Sequence, residues 1–117
     1  MRVGNHFEKK EQVVVVVDID GTICSNTEGD YSSAVPILGA IQNVNLLHSK
    51  GAKIILFTAR GSTTGMDWRQ LTEEQMEQWG VRYDELHFGK PFGNYYIDDK
   101  AVLAEDLASG KFLARVR

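Results

Sequence analysis

The sequence predicts an α/β fold organised on a mostly parallel sheet, and three observations carry that expectation. Five consecutive valines, Val13–Val17, form a β-branched run without polar interruption, which suits a strand buried on both faces. A segment of helical apolar spacing then leads to a second apolar run, Lys53–Phe57. A strand–helix–strand unit of that length implies a right-handed crossover and a parallel pair. Finally, the apolar runs end in polar chemistry: Asp18 and Asp20 after the first, Thr58 after the second, Asp98 and Asp99 after the last. In open α/β sheets the ligand crevice lies outside the carboxyl ends of the strands.

Taken in order, Met1–Gln12 is charged and unpatterned, and reads as a loosely docked lead-in without the apolar core of a signal peptide. After the valine strand, Gly21 permits a sharp turn. Ile23–Val35 is rich in Ser, Asn, Thr, Gly and Asp, and reads as a loop or small hairpin beside the site. Within it, Glu28 and Asp30 suit a solvated loop tip better than a metal site. Pro36 fits a first helical turn. Ile37, Leu38, Ile41, Val44 and Leu47 recur at helical spacing, and Gly51 ends the run. His48 suits the last turn as a cation favoured by the helix dipole.

Met66–Trp79 is expected to be a second helix resting on Leu71, Met76 and Trp79, with a partial capping signature at Thr72–Gln75 where it restarts or bends. Leu86–Phe88 suits a short third strand, with His87 read as a neutral residue at the core edge. Gly89–Gly93 is an irregular loop holding Lys90. Tyr95–Ile97 reads as a fourth strand, Ala101–Ala108 as a helix and Phe112–Val116 as an edge strand.

The 117 residues suit one domain able to bury about two-thirds of its unfolded surface. Apolar content is 43% and charged content 25%, values of an ordinary globular chain. A net charge of −3 and a pI near 5.5 argue against a nucleic-acid binder, which needs a basic stripe. An anionic substrate stays open, because local cations reverse the field at one site. The single cysteine, Cys24, precludes an intrachain disulfide and suits a reducing, cytoplasmic setting. It reads as a small packing residue rather than a nucleophile. No apolar run is long enough to span a membrane.

Asp18-Ile-Asp-Gly-Thr22, Phe57-Thr58, Lys90 and Asp98-Asp99 together resemble the four motifs of the haloacid dehalogenase (HAD) superfamily of phosphohydrolases. The resemblance spans Val13 to about Val102. It implies a three-layer, Rossmann-like fold with helices on both faces of the sheet. Neither Ile23–Val35 nor Gly61–Phe88 has room for a cap domain, so the chain resembles a capless member. The Thr58–Gly61 loop and the Tyr95–Asp99 stretch are also similar to small members associated with surface-polysaccharide and sugar-nucleotide synthesis.

The resemblance implies a Mg²⁺-dependent phosphomonoester hydrolase acting on a sugar phosphate or related metabolite. Asp18 would attack phosphorus to form an aspartyl-phosphate. Asp20 would protonate the leaving oxygen and then deprotonate water, which requires surroundings favouring its protonated form. Thr58 would hydrogen-bond a phosphoryl oxygen, and Lys90 would pair with the phosphoryl charge. Asp18, Asp98 and Asp99 would supply carboxylates to Mg²⁺, with the backbone carbonyl of Asp20 as a further ligand. The physical need is plain: an aspartate and a phosphate dianion at 4 Å repel by about 4 kcal/mol per charge pair at intermediate dielectric. Gly21 and Thr22 could offer N–H groups to the anion. Ala59 and Arg60 border the substrate; Arg60 either holds the leaving group or pairs with an acidic neighbour.

Three other readings compete. A receiver domain uses similar residues in the opposite order. A non-catalytic phosphate-binding module would not need both Asp18 and Asp20. A phosphotransferase or phosphomutase shares the first half-reaction, but such enzymes exclude water with a cap. An open site suits a large substrate, or a homo-oligomer in which a neighbouring subunit supplies a lid.

Overall fold

The structure, a computed structural model, describes residues 12–88 and 102–114. Lys90, Asp98, Asp99 and the expected strand Tyr95–Ile97 lie outside the described residues, as does nearly all of the lead-in. The described chain runs β1 (Val14–Asp18), α1 (Leu38–Ser49), β2 (Lys53–Thr58), α2 (Arg69–Gln78), β3 (Glu85–Phe88) and α3 (Ala104–Ser109).

The described residues form a small α/β fold around a three-stranded parallel sheet of order β1-β2-β3. The register sets Val14 beside Lys53 and Asp18 beside Phe57, then Ile55 beside Glu85 and Thr58 beside Phe88. All three strands therefore finish at one edge. Both crossovers step the same way along the sheet, so one hand of connection sends α1 and α2 to the same face. The core confirms the shared face. Val17, Ile54 and Leu56 pack with Ile41, Val44 and Leu47 of α1, Met76 of α2 and Leu107 of α3.

The valine run departs from expectation. Val17 is buried, but Val14 and Val16 are about half exposed. Among the described residues no helix lies over their face, and the second helical layer implied by the resemblance has no element there. A run of identical residues carries no period, so it cannot reveal which face is covered.

Several boundaries also shift. Pro36 is not in the first helical turn: it forms an isolated bridge with Cys24, and Ile37 caps α1. Gly51, at φ +100°, follows the α1 C-cap Lys50 as expected. Met66 is exposed in a loop, and α2 begins at Arg69. Phe112–Val116 is not an edge strand where it is described; Lys111–Ala114 forms a 3-10 turn instead. His87 is on the surface, its Nε2 2.8 Å from Glu85 Oε1, rather than at the core edge. His48 closes α1 with Nε2 3.4 Å from Asp84 Oδ1.

The α1–α3 crossing is close. A Cβ on Gly39 would stand 2.7 Å from the Ala108 carbonyl oxygen, so only glycine fits without a shift. Asn43 Nδ2 donates to Leu107 O across the same contact at 2.8 Å. Among the described residues no helix is long and apolar enough to cross a membrane.

Candidate functional site

The site is built where β1 and β2 end. Asp18, the last residue of β1, is exposed at the edge beside Phe57. The ladder continues one step, with Ile19 N–H donating to Phe57 O at 3.1 Å. The chain then folds back on itself. Ile19 O accepts from the N–H groups of Thr22 and Ile23, and Gly21, at φ +87°, donates its N–H to Cys24 O at 2.9 Å. Ile19 and Ile23 are fully buried and pin this turn to the core. The 25–35 loop is closed at its neck by Ser25 N–H to Val35 O (2.8 Å) and Val35 N–H to Ser25 Oγ (2.9 Å).

This turn overturns one expectation. The Gly21 and Thr22 N–H groups were expected to face an anion, but both are spent within the turn. Tight reversal needs those donors for its own carbonyls.

Asp20 is held from β2. Thr58 Oγ1 donates to Asp20 Oδ2 at 3.2 Å, and the same hydroxyl accepts the Arg60 N–H at 3.1 Å. Arg60 meets the Asp20 carboxylate as a fork: Nε lies 3.2 Å and 3.1 Å from its two oxygens, and Nη2 lies 2.9 Å from Oδ1. Of the two roles weighed for Arg60, the structure displays the acidic neighbour. Its side chain is fully buried, whereas that of Asp20 is 19% exposed.

A buried guanidinium must place five N–H donors. Here each has an acceptor. Nε and one Nη2 donor go to Asp20. Nη1 donates to Thr72 Oγ1 at 3.0 Å and Gln75 Oε1 at 2.6 Å. The remaining Nη2 donor faces Cys24 Sγ at 3.8 Å. The Tyr31 ring lies over the guanidinium carbon at 4.7 Å and meets Trp68 edge-on at 5.1 Å.

Sequence reasoning missed Thr72, Gln75 and Tyr31. The buried stripe of α2 is Thr72, Gln75 and Met76, so two of the three residues it buries are polar. The Thr72–Gln75 stretch was expected to cap or bend a helix; instead α2 runs unbroken and those side chains accept from Arg60. One signal was present: Thr72, Gln75, Met76 and Trp79 share a helical face.

Cys24 is free and fully buried, as a packing residue would be, and also serves as a weak acceptor. Burial, reinforced by the Asp20 charge, pushes its thiol up to about 11. It is therefore no nucleophile at neutral pH. Glu28 and Asp30 are exposed, and Asp30 accepts from Ser32 and Ser33.

The structure thus gathers Asp18, Asp20, Thr58 and Arg60 at one edge, with Ala59 exposed between the last two. Lys90, Asp98 and Asp99 lie outside the described residues. Next to Arg60 is a recess of about 280 Å³ whose walls include Met66, Trp68 and Phe88. Arg69 stands over the Phe88 ring at 4.7 Å.

Two solved structures are similar to this chain. A structural-genomics target from Vibrio cholerae, known from its crystal structure, matches with a TM-score of 0.78 at 28% identity, over 90% of this chain and 96% of that one. A chain in the structure of the Pnkp1/Rnl/Hen1 complex matches with a TM-score of 0.55 at 19% identity, over 91% of this chain and 35% of that one, a likeness of fold alone. No family model and no curated protein matches the chain.

Proposed function

We propose that this chain is a phosphomonoester hydrolase of the HAD type, working through an aspartyl-phosphate on Asp18. The observation that carries the reading is the convergence of Asp18, Asp20 and Thr58 at one sheet edge, with Asp20 3.2 Å from the Thr58 hydroxyl. The Thr58 hydroxyl reaches Asp20 across 38 positions of the chain, which supports the pairing of the first two motifs.

Asp18 is exposed at the edge, where a phosphate monoester can approach it. Its carboxylate attacks phosphorus as the P–O bond to the leaving group breaks. Asp20 delivers a proton to that oxygen, then takes one from the water that attacks the acyl phosphate and regenerates Asp18. In the structure the Arg60 fork occupies both Asp20 oxygens and fixes where the carboxyl points, so proton delivery needs one of those oxygens freed from the fork.

Hard, anionic oxygen donors at this edge suit Mg²⁺. Asp18 and the Asp20 carbonyl would hold it, joined by Asp98 and Asp99. When bound, it offsets the charge of the phosphoryl group, and Lys90 adds to that effect. The three-layer fold, a capless single domain over residues 1–117, a cytoplasmic setting and a sugar phosphate or related small metabolite as substrate complete the proposal. The unpaired thiol of Cys24 is compatible with a reducing compartment.

The test is hydrolysis of p-nitrophenyl phosphate with and without EDTA, beside Asp18→Asn. The expected result is turnover abolished by EDTA, and by at least about a thousandfold in Asp18→Asn. The thermal midpoint of the variant, measured beside the wild type, separates a lost nucleophile from a lost fold. Metal-independent turnover, or an active Asp18→Asn protein, removes the mechanism.

A further inference from the structure

We infer that Gln75 is a positioning residue for the reaction, acting on Asp20 through Arg60 and on the 25–35 loop through Tyr31. The inference rests on the hydrolase reading above and goes beyond the residues that reading uses. Gln75 lies on α2, away from the strand ends that carry the reacting groups, yet it is 5% exposed. A buried amide needs partners for both its ends. Its Oε1 accepts from Arg60 Nη1 at 2.6 Å, and its Nε2 donates to the Tyr31 carbonyl at 2.7 Å. Gln75 thus ties two things that the backbone leaves separate.

The first is the Asp20 carboxylate. Arg60 can present Nε and Nη2 to Asp20 only if Nη1 is anchored behind, and Thr72 and Gln75 are that anchor. The guanidinium is planar, so fixing one edge fixes the other. The second is the loop. Tyr31 places its ring on Arg60 and its carbonyl on Gln75, so the loop bordering Asp20 cannot move without disturbing the guanidinium. Proton transfer is sensitive to displacements of about 1 Å, which gives such a strut a kinetic effect at a distance.

Two variants separate the two roles. Gln75→Leu offers neither acceptor nor donor, and should lower kcat about tenfold or more while the protein stays folded below its own thermal midpoint. Gln75→Glu keeps an acceptor for Arg60 but has no N–H for Tyr31. It should recover most of kcat and leave KM raised several-fold, a split that generic loosening of the core would not produce. Equal losses of kcat in Gln75→Leu and Gln75→Glu, or no loss in either, overturn the inference. If Gln75→Leu fails to fold, the split in Gln75→Glu decides alone.

A wild-type protein inactive on every phosphate monoester tested sinks the hydrolase reading by itself. The strut is then judged by NMR. Hydrogen exchange at the Arg60 Nε–H should be slow in the wild type and markedly faster in Gln75→Leu. Unchanged exchange overturns the inference whatever the activity.

Discussion

Among the described residues, one ion pair lies just past the ends of β1 and β2 and another joins β2 to β3, and they could hardly differ more in setting. Asp20 and Arg60 meet at the carboxyl edge, with a guanidinium wholly inside the protein. Lys53 and Glu85 meet between β2 and β3 at 2.6 Å, and both side chains are more than a third exposed. The exposed pair is as short as any contact in the buried one, yet distance says little about its worth. Water already solvates Lys53 and Glu85 well, so pairing them gains little. Arg60 has given up its water entirely, so every acceptor around it matters. The lesson is that stability and function here rest on satisfaction, not on proximity.

The largest effect should come from removing the buried charge itself. Arg60→Met keeps much of the volume but strands Asp20, Thr72 and Gln75 without their donor. Breaking a buried pair by deleting one partner costs about 3–5 kcal/mol. Urea unfolding should register that loss as a lower midpoint at unchanged slope. A loss below about 1 kcal/mol would mean that water reaches the cluster, and the contrast between the two pairs would disappear.

That cluster also marks where the sequence was legible and where it was not. Strand ends were readable because β-branched runs stop at polar residues, so Asp18, Asp20 and Thr58 fell at one edge once the crossover hand was applied. Arg60 was readable only as a choice between roles. Thr72 and Gln75 gave only the signal of sharing a helical face with Met76 and Trp79, because a polar residue on a helix is by default a solvent-facing one. Only the buried cation of Arg60, which sits on a different element, makes their burial favourable, and helical periodicity says nothing of a partner outside the helix. The exposed face of β1 was hidden for the opposite reason: Val13–Val17 is uniform, and uniformity has no period to read.

A smaller effect should appear at the fifth acceptor. With its thiol pushed from an ordinary 9.0 to about 11 by burial and by Asp20, Cys24 stays protonated in the folded chain when the unfolded chain has begun to ionise. Between those values the native state holds more protons, so stability should fall as pH rises. Denaturation at pH 8 and pH 10.5 measures this. Iodoacetamide at pH 7.5 should leave native Cys24 unmodified and label it only after unfolding. Rapid labelling of the native protein would show that the cluster opens to solvent.

The smallest effect belongs to the exposed pair. A hydrogen bond from Lys53 holds the Glu85 carboxyl below its usual range, and the same bond raises the Lys53 ammonium. A depressed carboxylate contributes above its unfolded value, and the contribution fades as pH drops through the folded value. A raised ammonium contributes below its unfolded value, and that contribution fades at strongly alkaline pH. Both terms are therefore present together across the neutral range, which is where Lys53→Met should be compared with the wild type. Even there the thermal midpoints should be indistinguishable, and 1 M salt should not separate them, because solvent screens both partners. A Lys53→Met protein as unstable as Arg60→Met would mean that pairing across the strands, rather than burial of a fully bonded guanidinium, is what holds this sheet's edge in place.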